Sequence, residues 1–342
     1  MKIKFQIGGN NITILATLLL FIVLFGSGSI LYEGFFSLQV FLNLFIDNAY
    51  LIIVATGLAF VIITGGIDLS VGAMVALVST IIAFLLKQGV NPYLVIIFVL
   101  IIGVLFGFAQ GFLITRFHLH PWIVTLAGMF FARGSAQLIS TDNIAVNNKL
   151  FLKFSEIIIP FPGGSFLSIG AVAAIIIVVA GVYVAKFTSF GRNVYALGGN
   201  ERSSLLMGLP VRRTKVMVYM LSGFCSALAG IVFTVYTLSG FAMHLLGMEM
   251  DAIAACVIGG ILLTGGYGHI IGPLLGTLST GVIQTIITFQ GTLSSWWTKI
   301  VIGLLLCLFI VLQKLIVTGK FKYRSTKVSR KEEIKAEKRS SI

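Results

Sequence analysis

Long apolar stretches separated by short polar ones run along most of this chain. They fall at about 11–31, 44–63, 73–86, 93–115, 121–140, 168–186, 216–237, 251–263, 272–288 and 296–314. A helix needs about 20 apolar residues to cross the hydrocarbon core of a bilayer. None of the stretches alternates in and out as a barrel strand does. The pattern predicts an all-α, polytopic membrane helix bundle of about ten transmembrane helices, or about eight or nine if the short runs do not cross. Runs 73–86 and 251–263 are short, and both adjoin glycine-rich breaks, as half-helices and re-entrant segments do. One bundle uses residues 1–318 as a single membrane domain and leaves 319–342 as a basic tail, expected to be disordered and cytoplasmic.

Composition agrees. The chain has 342 residues, of which 58% are hydrophobic and 10% charged, whereas a soluble domain carries about 25% charged residues. The net charge of +13 would suggest nucleic acid in a soluble protein. Here the basic residues sit between apolar runs and in the tail, so they read as the positive-inside bias of a cytoplasmic-membrane protein. Lys186, Arg192, Arg202, Arg212, Arg213 and Lys215 mark loop 186–215 as cytoplasmic, whereas segments 32–43, 238–250 and 289–295 lack Lys and Arg and should face outward. Both termini then lie in the cytoplasm, and the tail is placed to meet anionic lipid. The run 12–31 reads as a retained first span rather than a cleaved leader. Cys225, Cys256 and Cys307 form no CxxC pair, and His244 and His269 have no ligand spacing, so neither a metal nor a cofactor is implied.

The most unusual stretch is Thr64-Gly65-Gly66-Ile67-Asp68-Leu69-Ser70-Val71-Gly72, a carboxylate, two hydroxyls and three glycines between apolar runs. A charge in apolar surroundings marks a polar pathway or a helix break that needs a cap. Two readings of Asp68 follow. With Thr64 and Ser70 it can hydrogen-bond a polar substrate; or it N-caps a helix starting at Leu69, satisfying backbone N–H groups that have no water partner. Capping is favoured, because one carboxylate meets both the dipole and the orphan donors. The pattern recurs: Leu262-Leu263-Thr264-Gly265-Gly266 echoes Ile62-Ile63-Thr64-Gly65-Gly66, and Gly272 echoes Gly72, each 200 residues later. Paired breaks in two halves point to a transport pathway between repeats; chance matching of glycine-rich runs is the alternative.

A second candidate lies in loop 186–215. Asn200 is a good N-cap, Glu201 suits a first turn, and Gly208 with Pro210 is a stop signal. This predicts a short helix from Glu201 to Met207, carrying Arg202 on its first turn and the apolar Leu205, Leu206 and Met207 in a wet loop. They either form a docking surface or pack back on the bundle. Elsewhere, Arg133 within a span needs a carboxylate or carbonyl partner. Lys299 is expected to snorkel outward, beside the interfacial Trp296 and Trp297. Glu249 and Asp251, in or at the end of outward loop 238–250, either meet basic residues on an extracytoplasmic protein or are solvated loop charges, and loop 141–167 reads as an irregular cap or docking surface.

Four ordered motifs over about 40–315 resemble the permease subunits of the ribose/xylose/autoinducer branch of bacterial ABC importers. They are Gly65–Gly72, Pro121–Gly128 with Arg133-Gly134, Gly191–Asn200 running on to Tyr219–Gly223, and Gly259-Gly260 through Gly265-Gly266-Tyr267-Gly268 to Gly272. Asp251–Ala254 and Gly291–Lys299 further resemble the permease of the galactofuranose importer. Gln110, Trp122 and Ile261 stand where many members carry Asn, Phe and Thr. The resemblance implies a non-enzymatic permease that imports a monosaccharide by alternating access. Its partners would be a cytoplasmic ATPase docked at 200–208, an extracytoplasmic sugar-binding protein, and a second permease copy or paralogue.

The chain has no G-x-x-x-x-G-K-[ST] stretch to cradle ATP phosphates, and its outward loops are too short for a sugar-binding domain. An ion-coupled secondary transporter is the alternative, with Asp68 relaying protons alongside Asp47 or Glu33. An intramembrane enzyme fits poorly: Gly26-Ser27-Gly28-Ser29 has no matched His, and no second aspartate completes a dyad, so no catalytic residue is assigned.

Overall fold

The computed structural model describes residues 9–292 and 296–311. Lys2, Lys4, Ser294, Ser295 and the basic tail expected at 319–342 lie outside the described residues. The helices are α1 (Gly9–Leu31), α2 (Leu38–Asp47), α3 (Ala49–Ile63), α4 (Val71–Lys87), α5 (Pro92–Phe117), α6 (Pro121–Ile139), α7 (Lys149–Glu156), α8 (Ile169–Phe187), α9 (Ser189–Gly199), α10 (Glu201–Leu206), α11 (Val211–Thr237), α12 (Met248–Ile258), α13 (Gly272–Gln290) and α14 (Trp296–Val311). Six of them, α1, α5, α6, α8, α11 and α13, are long and apolar enough to cross a membrane. The bent pair α2 and α3, which meet at 57° around Asn48, makes a seventh if the two helices form one broken span, and α4 and α14 are shorter apolar helices. The chain is a multi-pass helical membrane protein. The two short runs are short helices: α4 begins only at Val71 and α12 stops at Ile258, each beside a break.

Local chemistry sets the ends. Pro opens α5, α6 and α13, where its missing N–H costs nothing. Ser37 and Asn91 cap α2 and α5 by accepting hydrogen bonds from Val40 N and Tyr93 N. The axis of the bundle is α3, in which every residue except Tyr50 is buried. Helices α8, α11, α12 and α13 surround it. Lipid is as apolar as leucine, so close packing rather than water exclusion joins these helices. A tight seam lies between α5 and α11. A Cβ on Gly103 would stand 2.5 Å from Gly223 O, and one on Gly107 would stand 2.1 Å from Tyr219 O. Glycines four apart let the two backbones touch.

Loop 141–167 departs from the irregular cap expected of it. It contains α7 and an antiparallel hairpin of β2 (Ile158–Pro160) and β3 (Phe166–Ser168). Its strand β1 (Ile144–Ala145) pairs with β4 (Ser239–Gly240), fastening the loop to the end of α11. Pro162 and the positive-φ glycines Gly163 and Gly164 turn the hairpin.

Candidate functional site

The first break begins where α3 ends. Gly65 takes φ +80°, and the N–H groups of Gly65 and Gly66 close the helix onto Ile62 O and Val61 O. Thr64 Oγ1 donates to Val61 O at 2.7 Å, so its hydroxyl is used within its own helix. Asp68 is 2% exposed. Its Oδ1 accepts from Ser70 N at 3.0 Å and Ser70 Oγ at 2.6 Å, and its Oδ2 accepts from Ser222 Oγ of α11 at 2.8 Å. Ser70 Oγ in turn accepts from Gln110 Nε2 of α5 at 2.9 Å. Ile67 O accepts from Thr125 Oγ1 of α6 at 3.3 Å and from Tyr219 OH of α11 at 3.4 Å. Three helices thus hold the unwound segment through polar groups that lipid would leave unpaired.

This geometry corrects the capping expectation in one respect. The helix begins at Val71, with Ser70 at its N-cap position making no side-chain cap bond, and not at Leu69. Asp68 stands two residues ahead of the cap, where it closes a turn onto Ser70 and ties the break to α11. Gln110 reaches Ser70 across Gly128, where a Cβ would lie 2.2 Å from its Nε2. Gly72, on the first turn of α4, leaves room for Glu249, whose Oε2 would stand 2.7 Å from a Cβ there.

The second break runs from Gly259 to Ile271, between α12 and α13, starting five residues before Thr264. Gly265 and Gly266 take φ +83° and +72°. The two echoed motifs touch: Gly266 N donates to Ile63 O at 2.7 Å, and a Cβ on Gly265 would stand 2.7 Å from Gly65 N. Gly198 of α9 completes the contact, with a Cβ there falling 1.8 Å from Ile63 O and 2.4 Å from Gly266 N. Tyr195 OH donates to Gly268 O at 2.9 Å on the same side. Three segments far apart in sequence therefore meet backbone to backbone.

Helix α10 follows this junction directly. Asn200 caps it by accepting from Ser203 N at 2.8 Å, and Gly208 leaves it at φ +78°. The helix ends at Leu206, one residue earlier than the sequence suggests, with Met207 at its C-cap. Leu205, Leu206 and Met207 are 62%, 82% and 68% exposed, so they do not pack back on the bundle. Arg202 is exposed too, and Glu201 pairs with Lys215 of α11 at 2.7 Å.

Other charges find partners the sequence leaves open. Arg133 donates to Ala242 O at 2.6 Å and His244 O at 2.7 Å, pinning the α11–α12 loop to α6. Burial and that guanidinium hold the His244 imidazole below the usual histidine range. Lys299 pairs with Asp251 at 2.7 Å instead of simply reaching outward. Among the described residues no group of three or more His, Cys, Asp or Glu is placed to hold a metal ion. Ser222, Tyr219, Thr125 and Gly198 lie within the motifs that carry the resemblance, but the sequence assigns none of them a role. Their signal was a polar or glycine position inside an apolar helix.

Comparison with known proteins agrees with this architecture. Residues 40–310 match the family model described as "Branched-chain amino acid transport system / permease component". The inner membrane ABC transporter permease protein YjfF of Escherichia coli (strain K12) is 46% identical, over 83% of this chain and 86% of that protein. The fructose import permease protein FruG of Bifidobacterium longum is 40% identical over 92% of this chain and 94% of its own length. The ribose import permease protein RbsC of Bacillus subtilis is 39% identical over 84% and 88%. No solved structure matches the chain. The chain belongs to this family of transport-system permease components.

Proposed function

We propose that this chain is the transmembrane subunit of an ATP-driven, binding-protein-dependent ABC importer that carries a monosaccharide into the cytoplasm through the inner membrane. The observation that carries the reading is the exposed apolar turn Leu205-Leu206-Met207, standing just beyond the junction where both breaks meet. An apolar surface of that kind on a short polar-flanked helix suits a protein partner. A separate ATPase docked there would act on both breaks through Gly198 and Gly266, and residues 64–72 and 264–266 would serve as the hinge beside the pathway. Asp68 would hold that hinge closed rather than grip the sugar, since its two oxygens already accept three hydrogen bonds from the protein.

Fructose and ribose importers among the relatives support a sugar. Galactofuranose is favoured by the resemblance carried on Asp251–Ala254 and Gly291–Lys299. A second permease, identical or paralogous, would complete the pore, with both termini in the cytoplasm, residues 1–318 forming the membrane domain and 319–342 a basic tail beside lipid. The test is uptake by the purified chain alone in liposomes under a proton or sodium gradient. No uptake is expected without an ATPase and ATP. Gradient-driven sugar uptake by the chain alone would overturn this reading in favour of ion coupling.

A further inference from the structure

One end of the bundle carries a groove that the break does not use. Its floor is the bend between α2 and α3 at Asn48. Two cavities of about 260 and 350 Å³ adjoin there and share Asn48, Tyr50 and Gln284. Together they reach the roughly 300–1,000 Å³ typical of small-molecule sites. Asp251 and Lys299 line one cavity, and Asp47 and Tyr236 line the other.

The groove lies far from α10. Tyr236 is at the C-terminal end of α11, whose first residue follows the α10 turn. A helix of 27 residues is about 40 Å long at about 1.5 Å per residue. With an ATPase on α10, the groove opens on the opposite, extracytoplasmic side.

Its polar groups are held in place yet retain bonding capacity. Asn48 Nδ2 donates to Leu44 O at 2.9 Å, and Gly281 leaves room for this amide, since a Cβ there would stand 2.7 Å away. Tyr236 OH donates to Asp47 Oδ1 at 3.1 Å. Asn48 Oδ1, Asp47 Oδ2 and the Gln284 amide have no hydrogen bond among the described residues. Among the described residues Lys299 is the one cation lining either cavity, and both Asp251 oxygens hold it. An anion entering the groove therefore meets Asp47 with no cation to offset it. A bare cation would leave the amide donors unused. A neutral polyol uses carboxylate, amide acceptors, amide donors and the Tyr50 ring together.

We propose that this groove is a reception site for a neutral sugar, which bonds Asp47, Asn48 and Gln284 through its hydroxyls before passing to the glycine junction. The proposal rests on the sugar-import reading and is tested apart from it. A reporter thiol, Thr285→Cys, is placed in a Cys307→Ser background, because Cys225 and Cys256 are buried. The full importer in proteoliposomes is labelled with an impermeant maleimide, with and without fructose, ribose or methyl galactofuranoside in excess. One of these sugars should slow labelling about threefold or more without ATP. Asp47→Asn and Gln284→Ala should abolish that protection and raise the half-saturating sugar concentration for uptake about tenfold. An unchanged labelling rate without sugar shows that the groove is still formed in each variant. No protection by any of the three sugars, or protection by sugar-free binding protein alone, would overturn the reception site. ATP-driven uptake in the same vesicles reports separately on the import reading.

Discussion

Asp68 and Gly198 show how single positions set the behaviour of the break. The Asp68 carboxylate is buried with no cation paired to it among the described residues and is held by donors from Ser70 and Ser222. Hydrogen bonds to a charged acceptor are worth about 1.5–3 kcal/mol each, and an orphaned buried donor costs about 1–3 kcal/mol. Asp68→Ala strands the Ser70 N–H and both hydroxyls, so it should lower stability by about 2–4 kcal/mol. Asp68→Asn keeps an acceptor for Ser70 but places an amide donor against Ser222, and about half of that loss is expected. Thermal unfolding in detergent measures both, and equal losses would show that the bonds from Ser70 contribute nothing beyond the one from Ser222. The adjacent glycines give a sharper contrast. A Cβ on Gly198 would lie 1.8 Å from Ile63 O, whereas one on Gly199 meets nothing within 4 Å. Gly198→Ala should destabilise by about 3 kcal/mol or more, since backbone cannot yield as a side chain does, and Gly199→Ala should be close to neutral. Similar midpoints for the two variants would contradict the packed junction.

At the level of elements, α10 was legible almost to the residue because its signals are local: Asn200 caps it, Glu201 opens it and Gly208 ends it. Its exposed apolar turn predicts that Leu205→Asp with Leu206→Asp leaves the stability within about 0.5 kcal/mol of wild type, as for surface changes generally. The same pair should abolish co-purification with the ATPase, and a stable complex would remove α10 as the docking element. Elements closed by distant contacts were less legible. Ser222 lies 154 residues from the carboxylate it bonds, and no local pattern links them. The start of α4 was placed too early, at Leu69, because Asp68 is a good cap residue; the cap position passed to Ser70 once the carboxylate was bound across to α11. The hairpin in 141–167 was missed because its three-residue strands are too short to show alternation. Arg133 holds the neighbouring loop by two carbonyls, so Arg133→Met should speed proteolysis within 241–247 several-fold while the bundle stays intact. Unchanged cleavage would show the loop to be fixed by β1 and β4 alone.

Over the whole molecule, the echo at an interval of 200 residues becomes a physical contact, with Gly266 N bonded to Ile63 O. Sequence alone could pair the motifs only by similarity; it could not show that they touch, nor that Gly198 sits between them and leads into α10. This arrangement connects an exposed surface, two unwound segments and a buried polar knot in one path, through backbone contacts at the junction and side-chain hydrogen bonds at the knot. The central claim is that force applied at α10 opens this path for a sugar. It is tested most directly by sugar uptake in proteoliposomes holding the permease, its ATPase and its binding protein, measured with ATP for wild type and for Leu205→Asp with Leu206→Asp. The account predicts ATP-dependent uptake by wild type and background uptake by the folded variant. Uptake by the variant at the wild-type rate would contradict it.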